Sequence, residues 1–167
     1  MKINLASPLQ FTSFIDGPGI RTVIWLQGCP HNCHGCHNPN THDLKGGYQE
    51  SIENIIQELK SKMNRKFQSG ITISGGDPFF QPESLRELLR RIREELPWCN
   101  IWVYTGYQYE YLVENYRDIV EKIDVIVDGK FEEELLCTGK ERFKGSSNQR
   151  IIKVAESLEF EKIIEWR

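Results

Sequence analysis

The stretch Thr22–Cys36, TVIWLQGCPHNCHGC, decides how this chain is read. In its first half, Val23, Ile24 and Trp25 make a short continuous apolar run between Thr22 and Leu26, the pattern of a strand covered on both faces in a parallel sheet. Its second half sets Cys29, Cys33 and Cys36 directly after that strand, with three residues between the first two and two between the last two. One loop can therefore wrap three thiolates around one metal centre. The total of five cysteines is odd and three of them are crowded together, which suits a metal site in a reducing compartment better than a disulfide framework.

Past this loop the same alternation repeats. Gly46 and Gly47 lead to Ile52, Ile55, Ile56, Leu59 and Met63 at helical spacing, with Ser51 placed to cap the start. Ile71–Ser74 reads as a strand. After Pro82, Leu85, Leu88, Leu89, Ile92 and Leu96 recur with helical period until Pro97 stops them. Ile101–Tyr104 is a third strand, followed by a helix through Leu112, Tyr116, Ile119 and Val120. Val125–Asp128 is a fourth strand and Ile151–Val154 a candidate fifth, while Leu158–Trp166 suits either helix or strand. The alternation predicts an α/β fold with parallel strands. With no linker or internal repeat in sight, it predicts a single domain over residues 1–167.

Four polar or Gly-rich stretches each follow a predicted strand: Cys29–Cys36, Gly75–Pro78, Thr105–Tyr107 and Asp128–Lys130. In parallel sheets the C-terminal strand ends share one rim, and sites are built there. The four stretches are expected to converge.

Composition narrows the partners. A formal net charge of -3, with no cluster of Lys and Arg, argues against a nucleic-acid groove. No apolar run approaches the length of a membrane span, and no basic-then-apolar leader opens the chain, so the expectation is no membrane and a cytoplasmic location.

The chemistry rests on the cysteines. A 4Fe-4S cube has four irons, so three cysteine ligands leave one iron open to another molecule. The competing reading is a structural zinc site whose fourth ligand is His31, His34, His37 or His42, but no second ligand pair stands at zinc-finger spacing. Cys99 and Cys137 have no neighbours at ligand spacing and read as packed or incidental thiols.

The surroundings of the trio carry a resemblance. Asp16, Gly17, Pro18, Gly19, Ile20 and Arg21 precede the strand, Gln27 and Gly28 lead into Cys29, and His37 and Asn38 follow Cys36. Together these resemble the glycyl-radical-enzyme activases, a branch of the radical S-adenosylmethionine (SAM) superfamily. Ser74–Pro78 is similar to that superfamily's Gly-Gly-Glu-Pro element, with Asp77 where Glu is commoner. Trp102–Tyr107, Val127–Phe131 and Gly145–Gln149 resemble the activases of anaerobic ribonucleoside-triphosphate reductase in particular.

The resemblance implies a partial, open β/α barrel of the radical SAM type, since a full eight-unit barrel needs roughly 200 residues or more. It implies a 4Fe-4S cluster on Cys29, Cys33 and Cys36, and SAM chelating the open iron. No catalytic side chain is expected beyond the cluster and the SAM site. Gly35, Cys36 and His37 are expected to touch SAM through their backbone. Gly75 and Gly76 would let the chain approach its methionyl group, which a Cβ would obstruct. Asp128 would accept from the ribose or the amino group, and Lys130 would pair with the carboxylate. Arg21 and Ser146–Asn148 suit either SAM or partner positioning or plain turn chemistry. Gly35 stands where many relatives have an aromatic that contacts adenine. The implied partners are the reductase, which would receive a glycyl radical, and an electron donor such as flavodoxin. The alternatives are a formate-lyase-type activase, a small-molecule radical SAM enzyme, an iron-sulfur electron carrier and a zinc-stabilised binding module.

Overall fold

The structure, a computed structural model, describes residues 1–139 and 141–167. Its strands and helices run β1 (Lys2–Leu5), β2 (Gln10–Ser13), β3 (Arg21–Leu26), β4 (Tyr48–Ser51), α1 (Ile52–Lys62), β5 (Gly70–Gly75), α2 (Pro82–Glu95), β6 (Asn100–Tyr104), α3 (Tyr109–Val120), β7 (Val125–Asp128), β8 (Arg150–Lys153) and α4 (Val154–Glu159). All strands join one sheet in the order β4-β1-β3-β5-β6-β7-β8, with β2 also on β3. The centre, β3-β5-β6-β7, is parallel, each neighbour reached through a helix.

Residue alternation gives the sheet two different faces. Ile24, Ile73, Val103 and Ile126 stand in register and point into the main core, where they meet Ile55, Ile56 and Leu59 of α1, Leu85, Leu88, Leu89 and Ile92 of α2, and Leu112 and Ile119 of α3. Each fully buried leucine of α2 contributes on the order of 2 kcal/mol. Ser51 caps α1 by accepting from the Asn54 N–H at 3.0 Å. The intervening residues face the other way. There Trp102, Val125, Val127 and Ile151 form a small second cluster with Tyr104, Phe143 and Trp166.

The parallel expectation holds for the centre and fails at both flanks. β8 runs antiparallel to β7, because the described residues of the polar stretch from 129 to 149 form no amphipathic helix to carry the chain back. β1, β2 and β4 pair antiparallel as well. The sheet does not close: β4 and β8 are its ends, so the architecture is an open mixed α/β sheet.

Arg21 lies at the foot of this sheet. It opens β3, while the cysteine loop follows the other end of that six-residue strand, roughly 16 Å away at about 3.3 Å per residue. Fully buried, its guanidinium donates to Thr72 Oγ1 at 2.7 Å, Ile71 O at 2.7 Å and Asn100 O at 2.8 Å, beneath the Trp102 ring. Burial pushes its pKa down to about 10. Arg21 is thus a staple between strands and not a contact for anything at the opposite rim.

Candidate metal centre

At the C-terminal ends of β3, β5, β6 and β7 a cavity of about 410 Å³ opens on the face away from the helices. Cys29, Cys33 and Cys36 line it together with Gly75, Gly76, Asp77, Thr105, Gly106, Gly129 and Phe131. The four strand-end stretches singled out in the sequence therefore do meet.

The cysteine loop is shaped by its backbone. Gly28 turns at φ 98° and Gly35 at φ 69°, in the left-handed region that favours glycine. The Gly28 N–H donates to Thr41 O at 2.9 Å, and the Cys36 N–H to Cys33 O at 3.3 Å. The amides also attend to the sulfurs: Asn38 N–H lies 3.4 Å from Cys36 Sγ, His31 and Asn32 amides face Cys29, and the Phe131 amide faces Cys33. Burial pushes the Cys29 and Cys33 thiols up, and these amides pull the other way. Soft sulfur donors ringed by N–H groups are the environment of iron-sulfur ligands. Among the described residues no three His, Cys, Asp or Glu side chains converge tightly enough to hold a single ion. Three soft thiol donors on one cavity are the donor set that an iron-sulfur cluster takes.

The histidines are largely committed elsewhere. His31 bonds Asp77 at 2.6 Å, the exposed His34 bonds Glu133 at 2.7 Å, and the exposed His37 packs on Phe131 with ring centroids 4.8 Å apart. Only His42 has a buried ring nitrogen with no partner among the described residues.

The other expected SAM contacts divide. His37, Gly75 and Gly76 line the cavity; Gly35, Asp128 and Lys130 do not. A Cβ on Gly35 would meet Glu133 Cδ at 2.7 Å, so that glycine faces the acidic 3-10 turn Glu133–Leu135. The Asp128 carboxylate, almost fully buried, accepts from the Tyr109 N–H at 2.7 Å and from Arg150 Nε at 3.0 Å, and this engagement turns it away from the cavity. The Lys130 side chain is exposed, and among the described residues the cation on the cavity wall is Lys144. The tight approach at Gly76 is to protein: a Cβ there would fall 2.8 Å from the carbonyl carbon of Gly28.

Gly145–Gln149 is a brace. Gln149 receives the Gly145 N–H at 2.8 Å and donates to Gly129 O at 2.9 Å, Asn148 donates to Lys130 O at 2.8 Å, and the buried Ser146 accepts from the Glu132 N–H at 3.1 Å. Cys99 is buried in the main core, and Cys137 lies off the cavity beside Glu141. Sequence reasoning passed over Phe131 and Lys144 as cavity residues; Phe131 at least directly follows the strand-end stretch Asp128–Lys130, which could have marked it.

Comparison with known proteins follows the same line. Residues 15–152 match a family model described as a 4Fe-4S single cluster domain. Three similar proteins carry the name anaerobic ribonucleoside-triphosphate reductase-activating protein. That of Enterobacteria phage T4 is 35% identical over 140 residues, covering 83% of this chain and 86% of the relative. That of Vibrio cholerae is 38% identical over 143 residues, 82% and 90% of the two chains. The Escherichia coli K12 protein is 38% identical over 141 residues, 81% and 89%.

Proposed function

The chain belongs to the family of anaerobic ribonucleoside-triphosphate reductase-activating proteins, and from that premise we propose that it is a radical SAM activase that installs a glycyl radical on such a reductase. Cys29, Cys33 and Cys36, which line one cavity, would hold three of the four irons of a 4Fe-4S cube. A cluster held there would supply the one-electron reduction by which SAM is cleaved and a hydrogen atom is removed from a reductase glycine. The chain's own work is placement and exclusion of water. The Phe131 ring on the cavity wall would offer adenine an apolar face where Gly35 has no side chain, and Lys144 on the same wall would meet a carboxylate of SAM. A low-potential donor of the flavodoxin type supplies the electron.

The observation that carries this reading is the gathering of three thiols on one cavity at the ends of parallel strands. A macromolecular substrate is supported by the mouth of that cavity, where Ile15 lines the wall while 80% exposed and Phe14 stands 66% exposed beside it. The Asp16–Arg21 stretch, which also suits a formate-lyase activase, gives that alternative little support, because Arg21 is bound within the sheet.

The test is anaerobic reconstitution with iron and sulfide, then incubation with reductant, SAM and either an anaerobic ribonucleoside-triphosphate reductase or a formate lyase. The expected result is SAM cleavage and a glycyl-radical paramagnetic signal on the reductase alone. Signal on the lyase alone would reassign the partner, and a colourless zinc-loaded protein would end the radical reading.

A further inference from the structure

Asp77 stands where the resemblance has Glu more commonly, and its surroundings describe its task. It is 2% exposed. Its Oδ2 accepts from His31 Nε2 at 2.6 Å and the Gly106 N–H at 2.8 Å, its Oδ1 accepts from the Phe79 N–H at 2.9 Å, and Thr105 Oγ1 reaches both oxygens, at 2.9 and 3.1 Å. A carboxylate offers about four lone-pair sites, so these four donors fill it and none remains for an amino group. The donors come from three places: the turn after β5, the loop after β6, and the cysteine loop itself.

His31 is the arm of the cysteine loop in this arrangement. It lies between Cys29 and Cys33, and its side chain is 8% exposed. Its ring meets Tyr107 edge-on with centroids 4.6 Å apart and presses on Gly106 so closely that a Cβ there would come within 2.7 Å of Nε2. The Asp77 N–H also donates to Gly28 O at 2.9 Å, one residue before Cys29. Both main chain and side chain of Asp77 therefore grip the cysteine loop.

We infer that Asp77 is a positioning residue for the iron-sulfur cluster, acting through His31 to fix the loop that carries Cys29 and Cys33, and is not a SAM ligand. The inference rests on the reading of the three cysteines as cluster ligands. A partner that orients the ligand-bearing segment is expected to influence retention by roughly 10-fold or more, as outer partners do at other metal sites.

The experiment uses the full chain reconstituted anaerobically, with His31→Leu, His31→Gln, Gly106→Ala and Asp77→Asn beside the parent. Iron release to a chelator, the paramagnetic spectrum of the reduced cluster, and SAM affinity per loaded cluster are measured, with circular dichroism to check the fold. His31→Leu leaves every other Asp77 bond in place and should lose iron roughly 10-fold faster with an altered spectrum. His31→Gln, which restores an N–H donor at similar reach, should recover both, and Gly106→Ala, which displaces the ring, should behave like His31→Leu. SAM affinity of the loaded fraction should stay near the parent value throughout, including in Asp77→Asn. Parent-like retention in folded His31→Leu, or failure of His31→Gln to recover it, would overturn the inference. So would Asp77→Asn with normal retention and SAM affinity at least roughly 10-fold weaker, the loss expected of a direct charged contact. A parent chain that takes up no cluster would show instead that the reading of the cysteines had failed, and the inference with it.

Discussion

At the scale of single residues, the same chemical type does different work according to its address. Cys99 is buried in the core, and burial pushes its thiol up to about 12. At pH 8 only roughly one molecule in ten thousand carries the reactive thiolate there. Iodoacetamide treatment of the folded, metal-free chain should spare Cys99 until denaturant is added, as mass spectrometry of the digested protein would reveal. Labelling in the native state would mean the core opens at β6. Asp128 supplies the opposite lesson, a carboxylate at a promising strand end that is bound to Arg150 and to the first amide of α3. Breaking a buried pair costs several kcal/mol, but Arg150 is partly exposed and keeps Glu110, so Asp128→Asn should cost about 2 kcal/mol. Urea unfolding should register that loss while SAM affinity of the loaded protein stays unchanged; a large fall in affinity would restore the role read from its position. No sequence pattern announces which acid will find an arginine 22 residues away.

At the scale of elements, β3, β5, β6 and β7 were legible because each is a short apolar run, and hydrophobic patterning is what sequence displays best. β4 escaped reading because Tyr48–Ser51 is polar; an edge strand is held by backbone pairing, which leaves little trace in side chains. The direction of β8 escaped for a related reason, since a strand's pattern is the same whichever way it runs. The meeting of the strand-end loops was legible from topology alone, but their mutual contacts were not. Gly76 is the example. Its missing side chain was expected to make room for a ligand, yet the space is occupied by the Gly28 main chain beside the cysteine loop. Gly76→Val should therefore reduce iron uptake as well as SAM binding, whereas a loop that merely admits SAM would lose only the second. Iron analysis after reconstitution separates the two outcomes.

At the scale of the whole molecule, an open sheet leaves its cavity with a wide mouth, and the exposed Phe14 and Ile15 stand at it. Ile15 is exposed enough that Ile15→Asp should change stability by less than about 0.5 kcal/mol. If the reductase docks there, the variant should yield roughly 10-fold less glycyl radical, the loss typical of an interface anchor, while still cleaving SAM with reductant alone. Full activation by Ile15→Asp would move the docking surface elsewhere. The junction at Asp77 has one more consequence for the molecule as a whole. Because one carboxylate joins loops from three strands, an occupant that orders any of them lowers the entropic cost of ordering the others, and the linkage is reciprocal. Whatever arrives second finds a site already assembled. Stripping iron from the cysteines should accordingly quicken deuterium exchange at the Gly106 amide, whose bond to Asp77 belongs to a strand end that carries no cysteine at all.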